Sequence, residues 1–316
     1  MKSNLWKGVL MGSCTLCAIS SSMAGPLQRS DVIKDPVWVL HLDCDALRPT
    51  TVGKFVLSEM EKPDADKKIA EFQTAFGIDP RTALHGVTLY GTSAAQEDGV
   101  LLFYADLDAE RLTSMAENAK EHKSTPHGKH MIHSWLDEKK PEKDGLQPRT
   151  YAAIHGGKIV LFGQKENRIA EALDVLDKTK PNLASSTQFD SFGDGGEKAI
   201  IVGAARKLDL PASDPNAAVL KQSKMASLSI GELQGQVQGT LKLEADSEEV
   251  AKQMESIGRG LMGLMALQKD KPDNTKLAKA LSIQQEGARI IVKLSLPAED
   301  MVGMIKAGAA KKAAKE

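Results

Sequence analysis

The sequence predicts an α+β protein of two domains, each a mostly antiparallel sheet with helices packed on one face, built from β-β-α repeats. Three observations carry this expectation. First, a strand that ends in an acidic turn and runs directly into a helix recurs along the chain. Residues 37–48 (VWVLHLDCDALR) and 100–120 (VLLFYADLDAERLTSMAENAK) share a D-x-D-A-x-R ending, and LFGQKENRIAEAL, LKLEADSEEVAKQM and VKLSLPAEDMVGMI repeat the order without the doublet. Second, short hairpins alternate with helices, which favours antiparallel sheets carrying helices over a purely parallel, doubly wound sheet. Third, residues 178–197 are rich in Ser, Thr, Gly, Asp and Pro and interrupt the pattern, while 316 residues with 41% hydrophobic content suffice for about two cores. The expected organisation is a signal peptide over 1–24, an N-terminal domain over 25–180, a linker over 181–197, a C-terminal domain over 198–308 and a basic tail over 309–316.

The leader sets the compartment. Lys2 and Lys7 make a basic start, residues 9–19 are mostly apolar, and Ser22-Met23-Ala24 supplies small residues for cleavage near Ala24. Bulky Leu16 before Cys17 and the short run before Cys14 do not fit a lipoprotein box, so the expectation is a periplasmic or secreted protein. Cys44 then remains alone, without an internal disulfide, and is expected to be buried on an apolar strand as a small hydrophobe. The net charge of −1 and the lack of a basic stripe argue against nucleic acid as a partner. Beyond the leader no apolar run reaches about 18 residues, so no transmembrane helix is expected.

Each element has a local reason. The first strand, 37–42, is β-branched and follows Pro36. Helical periodicity runs through 50–60 and 66–76, interrupted at Pro63 and stopped at Gly77. Strands follow at 86–90 and 100–105, then the second D-x-D helix and a strand near 129–135. Residues 151–155 and 158–162 flank Gly156-Gly157, a pair suited to the positive φ angles of a primed turn. A helix over 165–176 presents Ile169, Ala172, Leu173 and Leu176 on one side. Past the boundary, strands at 199–204, 225–230 and 236–244 lead to a helix over 247–267, with Asp246 as its expected cap and Val250, Met254, Ile257, Leu261 and Leu264 as its apolar stripe. A hairpin over 281–296 turns at Glu286-Gly287, and Pro297 is placed at the first position of a last helix.

Residues 223–306, with LKLEADSEEVAKQM followed by LSIQQEGARIIVKLSLPAEDMVGMI, resemble exported Gram-negative proteins of unknown function built from β-β-α repeats. LDVLDKTKPNLASSTQF ahead of the boundary is similar to the helix-to-linker passage of such proteins. The resemblance is one of pattern, covers mainly residues 165–308, and implies this fold and export without implying an activity.

Two sets of residues are candidates for chemistry. Asp43 and Asp45, and Asp106 and Asp108, are doublets whose i and i+2 positions share a side of a strand, roughly 6.6 Å apart. Carboxylates crowded in this way can share a proton and activate water, as in aspartic proteases; the competing reading makes them turn and cap residues. All seven histidines lie between His41 and His155, and His127, His130 and His133 form a candidate metal set in a loop or helix. G-x-G-x-x-G at Gly258–Gly263 falls late in an amphipathic helix and lacks the strand a dinucleotide fingerprint needs. No Asp-Thr/Ser-Gly, Gly-x-Ser-x-Gly, phosphate loop or H-E-x-x-H occurs. The expectation is a binding or structural module of the cell envelope without a cofactor, its partner a protein, glycoprotein or envelope ligand. The alternative is a secreted acid hydrolase that uses the four aspartates.

Overall fold

The computed structural model describes residues 25–138, 147–189, 199–206, 223–268 and 271–313. The expected signal peptide, residues 190–197 of the expected linker and the end of the basic tail lie outside the described residues. The strands are β1 (Trp38–Asp43), β2 (Leu84–Gly91), β3 (Gly99–Ala105), β4 (Lys123–His127), β5 (His130–Leu136), β6 (Arg149–His155), β7 (Ile159–Gly163), β8 (Ala199–Arg206), β9 (Ser223–Leu233), β10 (Gln236–Ala245), β11 (Leu281–Glu286) and β12 (Arg289–Pro297). The helices are α1 (Cys44–Leu47), α2 (Thr51–Met60), α3 (Pro63–Phe76), α4 (Pro80–Ala83), α5 (Ala109–Glu117), α6 (Glu166–Leu176), α7 (Glu248–Leu267), α8 (Pro272–Ala280) and α9 (Ala298–Ala313).

The class is α+β, and the sheet is antiparallel throughout the described residues. Its order is β11-β12-β10-β9-β8-β1-β2-β3-β7-β6-β5-β4, so one sheet of 12 strands runs unbroken through both halves of the chain. The seam is β8, which pairs with β1 on one side and β9 on the other. The two halves are distinct in their cores instead. One core joins Leu102 of β3, Ala153 of β6 and Leu161 of β7 to Ile169, Ala172 and Leu173 of α6. The second joins Leu243, Ala245 and Ile290 to Ala251 and Met254 of α7.

These cores lie on opposite sides of the sheet. Successive side chains on a strand point to opposite faces, and in β9 Met225 packs on the first core while Ala226 belongs to the second. Helices therefore cover both faces of the continuous sheet. The reason is visible in the strands: β3 (GVLLFYA) and β7 (IVLFG) are apolar on both sides and need cover twice. There α6 covers Leu161 on one face, and α5 lies over Val160 and Phe162 on the other. In β10, Leu241 and Leu243 alternate with Thr240 and Lys242, which suits cover on a single side.

Several local expectations are corrected. The polar lead-in is structural: Val32 and Ile33 are buried, Ile33 forms a bridge with Asn182, and Arg29 donates to the carbonyls of Leu183, Ser186, Gln188 and Phe189. Two others hold: the helices part at Pro63, which opens α3 where a missing N–H costs nothing, and Gly77 ends α3 at φ +74°. Cys44 opens α1 half-buried, not on a strand, and burial pushes its thiol pKa up, away from reactive thiolate. Ser247, not Asp246, caps α7, its hydroxyl accepting from the Val250 N–H at 3.3 Å. Pro297 stays in β12 opposite Gln236, and α9 begins after it. On α7 only the first part of the expected stripe packs inward: Met254 is 1% exposed, whereas Ile257, Leu261 and Leu264 are exposed, Leu264 by 61%.

A second tie joins the halves. The Glu232 carboxylate of β9 accepts from the Thr51 and Val52 N–H groups at 2.8 and 3.1 Å, at the start of α2. Burial would raise its pKa, but these bonds outweigh it and hold the carboxyl below its usual range. Among the described residues no helix is long and apolar enough to cross a membrane.

Candidate functional site

β1 and β3 both run antiparallel to β2 and so bring their acidic endings to one edge of the sheet. The four aspartates do not form a pair there. Asp43 caps α1, accepting from the Ala46 N–H at 2.8 Å, and Asp108 caps α5, accepting from the Arg111 N–H at 3.0 Å. Asp45 and Asp106 are bridged by His85 of β2, with Nδ1 at 3.0 Å from Asp45 and Nε2 at 3.2 Å from Asp106. Arg48 also pairs with Asp45. A shared proton requires two carboxylates in contact; here a ring stands between one pair, and backbone amides occupy the other two residues. Of the four residues expected as a catalytic set, Asp43 and Asp108 thus stand as helix caps and Asp45 and Asp106 as partners of His85. His85 carries no signal in the sequence, because a register shift between Leu84 and Gly86 places it.

Beside this edge His41 is buried, and the sheet dictates its tautomer. Nε2 lies 3.1 Å from the Gly25 carbonyl, which only accepts, so Nε2 carries the proton and Nδ1 accepts from the Thr88 hydroxyl at 2.8 Å. Burial lowers the His41 pKa from 6.5, against smaller opposing effects of Gly25 and Asp43. The unfolded chain then binds more protons than the folded one below that value, so this group's contribution is whole above pH about 6.5 and shrinks as the pH falls. Asp43 acts oppositely and lower: burial raises its pKa, so the folded state binds the extra proton and gains stability on acidification. Urea unfolding between pH 8 and 6 is expected to show falling stability in the wild type and a flatter profile in His41→Asn. Identical slopes would remove His41 from this account.

The histidines separate by face. His127 and His130 are cross-strand partners in the β4–β5 hairpin, and both reach acids at the end of α6: His127 to Asp174 at 2.7 Å and His130 to Asp177 at 2.9 Å. His133 lies an odd number of residues from His130 on the same strand, so it points to the opposite face, where it meets His122 at 3.0 Å. The expected set of His127, His130 and His133 is therefore not one site; strand alternation divides it. The residue brought to His130 is His155, whose ring centroid is 5.2 Å away and whose Nε2 lies 3.0 Å from Asp177. Burial raises the Asp177 pKa, yet hydrogen bonds from Lys129, His130 and His155 bring it down to about 2. The pairing His133↔Ala152, continued three residues, sets His130 opposite His155, a neighbourhood that spacing along the chain does not reveal.

On the face opposite α6 a cavity of about 320 Å³ opens between α5 and the sheet. Leu112, Met115 and Ala116 line it from α5, Ala119 from the turn that follows, Trp135, Ala152, Ile154, Val160 and Phe162 from the strands, and Phe76 from α3. Its polar lining is His133 and Thr113. Burial, then the neighbouring His122, lowers the His133 pKa, which favours a neutral ring at pH 7. The sequence conceals this cavity because it draws on α3, α5 and three strands.

No family model matches the chain, and no curated protein matches it. Two crystal structures align with it. Crystal form III of TP0453 aligns with a TM-score of 0.51 at 11% identity, over 88% of this chain and 97% of that one. Crystal form I aligns at 0.47 and 11%, over 90% and 98%. The first supports the α+β architecture across most of the chain, and at such identity the likeness is one of fold alone.

Proposed function

We propose that this chain is a non-catalytic binding protein of the cell envelope, exported to the periplasm or secreted, that takes up a small apolar molecule between α5 and the sheet. The cavity carries the reading: about 320 Å³ is at the small end of ligand sites, and an apolar wall with one or two polar groups is their usual composition. The neutral His133 ring offers one hydrogen bond to orient a guest. The leader-like first residues support export. The acid hydrolase alternative has less support, since its four aspartates are engaged as caps or with His85.

Titration with 1-anilinonaphthalene-8-sulfonate tests the proposal. Saturable binding at one site is expected, weakened at least about tenfold in Ala116→Trp, a change that fills the cavity and corresponds to about 1.4 kcal/mol of binding. Leu264→Gln, on the exposed side of α7, is expected to leave binding intact. Loss of binding in Leu264→Gln alone, or no saturable binding by a folded wild type, would overturn the proposal.

A further inference from the structure

The geometry points to a divalent transition-metal site built by His130, His155 and Asp177, suited to zinc. Three separate elements deliver the donors: His130 opens β5 after the Gly128-Lys129 turn, His155 closes β6 before Gly156-Gly157, and Asp177 follows the last turn of α6. One ligand atom from each lies within 4.8 Å of the others. The Asp177 carboxylate already meets both rings, Oδ2 at 2.9 Å from His130 Nε2 and Oδ1 at 3.0 Å from His155 Nε2. Zinc–nitrogen distances of about 2.0–2.1 Å place tetrahedral ligands about 3.3 Å apart. The two imidazoles therefore need only a modest side-chain rotation to close on an ion.

The chemistry of the set is selective. Two imidazoles and one carboxylate suit zinc, copper or nickel, and are poor ligands for calcium or magnesium, which take oxygen. Three protein ligands leave a coordination position for water or a small anion. Backbone pairing and the α6 packing hold the donors, and the neighbouring His127–Asp174 pair buttresses the same corner. The His130 side chain is 8% exposed, so it approaches the ion from the protein side. Lys129 approaches from the water: its ammonium sits 3.0 Å from Asp177 Oδ1 and is 72% exposed. A divalent ion would take the place of that ammonium.

This last feature separates a metal site from a plain ion-pair cluster. If the acid and histidines serve only each other and Lys129, removing the lysine gives nothing to zinc. If they form a site, Lys129 is a competitor, and Lys129→Ala should tighten zinc binding several-fold.

The test is zinc titration by calorimetry on the purified chain, expressed without a histidine tag. One zinc ion per chain is expected, with affinity falling more than about tenfold in His155→Gln and in Asp177→Asn, rising in Lys129→Ala and unchanged in His122→Gln. Histidine imidazole NMR of the wild type needs no variant: zinc should move the His130 and His155 ring resonances and leave His122 and His133 in place. Failure of the wild type to bind zinc, equal binding in His155→Gln, or movement of His122 and His133 in place of His130 and His155 would overturn the assignment. The site lies on the opposite face of the sheet from the apolar cavity, so its failure and that of the ligand proposal are read separately.

Discussion

Gly53→Ala is expected to cost about 3 kcal/mol, the upper part of the range for overpacking, and to lower the urea midpoint accordingly. A Cβ at Gly53 would stand 1.9 Å from the Leu47 carbonyl oxygen and 2.7 Å from its carbon. That carbonyl cannot yield easily, because it accepts from both the Thr50 N–H at 3.0 Å and the Thr50 hydroxyl at 2.7 Å. Thr50 in turn caps α2 through the Gly53 N–H. The methyl must therefore separate α1 from α2, and α2 is the helix whose first N–H groups Glu232 holds. Gly260→Ala provides the opposite sign: nothing lies within 4 Å of its added methyl on α7, and removal of a mid-helix glycine is expected to stabilise by up to about 1 kcal/mol. Equal, small effects in both variants would refute this description of the α1–α2 corner.

Leu161→Ala is expected to remove about 2–5 kcal/mol, the range for emptying a leucine site in a packed core. Leu161 is 0% exposed on β7, between β3 and β6 and beneath α6. Met254→Ala empties the other core by a comparable amount. Because the sheet is continuous and Glu232 also ties the halves, both variants are expected to move one cooperative unfolding transition, measured by circular dichroism in urea. Two transitions, each shifted by one variant alone, would show that the cores unfold independently.

Much of the architecture was readable wherever the decisive signal is local. Gly156-Gly157 marked its hairpin, and the positive φ angles of +59° and +67° confirm the turn chemistry. Periodicity locates α6, whose apolar residues meet the sheet at helical spacing, and α7, whose stripe packs inward only over its first turns. The short edge strand β4 and the helix α8 carry no such signal: Lys123–His127 is a proline among polar residues, and α8 has few apolar side chains to set a period. The pairing of β1 with β8 was also hidden, since nothing along either strand names a partner so distant in the chain.

The sites follow the same rule. Asp108 was legible as a cap, because a cap depends on the next three residues. His85, His155 and Asp177 were not, because each acquires its partners through strand register or through the angle at which α6 meets the hairpins. His133 shows the error that spacing alone invites: three residues from His130 suggests company, but on a strand it means the opposite face.

The position of β8 bears on how the protein is made. Strand β1 is synthesised well before β8, so one flank of its backbone stays without its native partner until residues 199–206 arrive. During that interval the emerging half offers an open strand edge, the kind of template on which chains associate. The arrival of β8 closes that edge, so the interval before it is when such association is favoured.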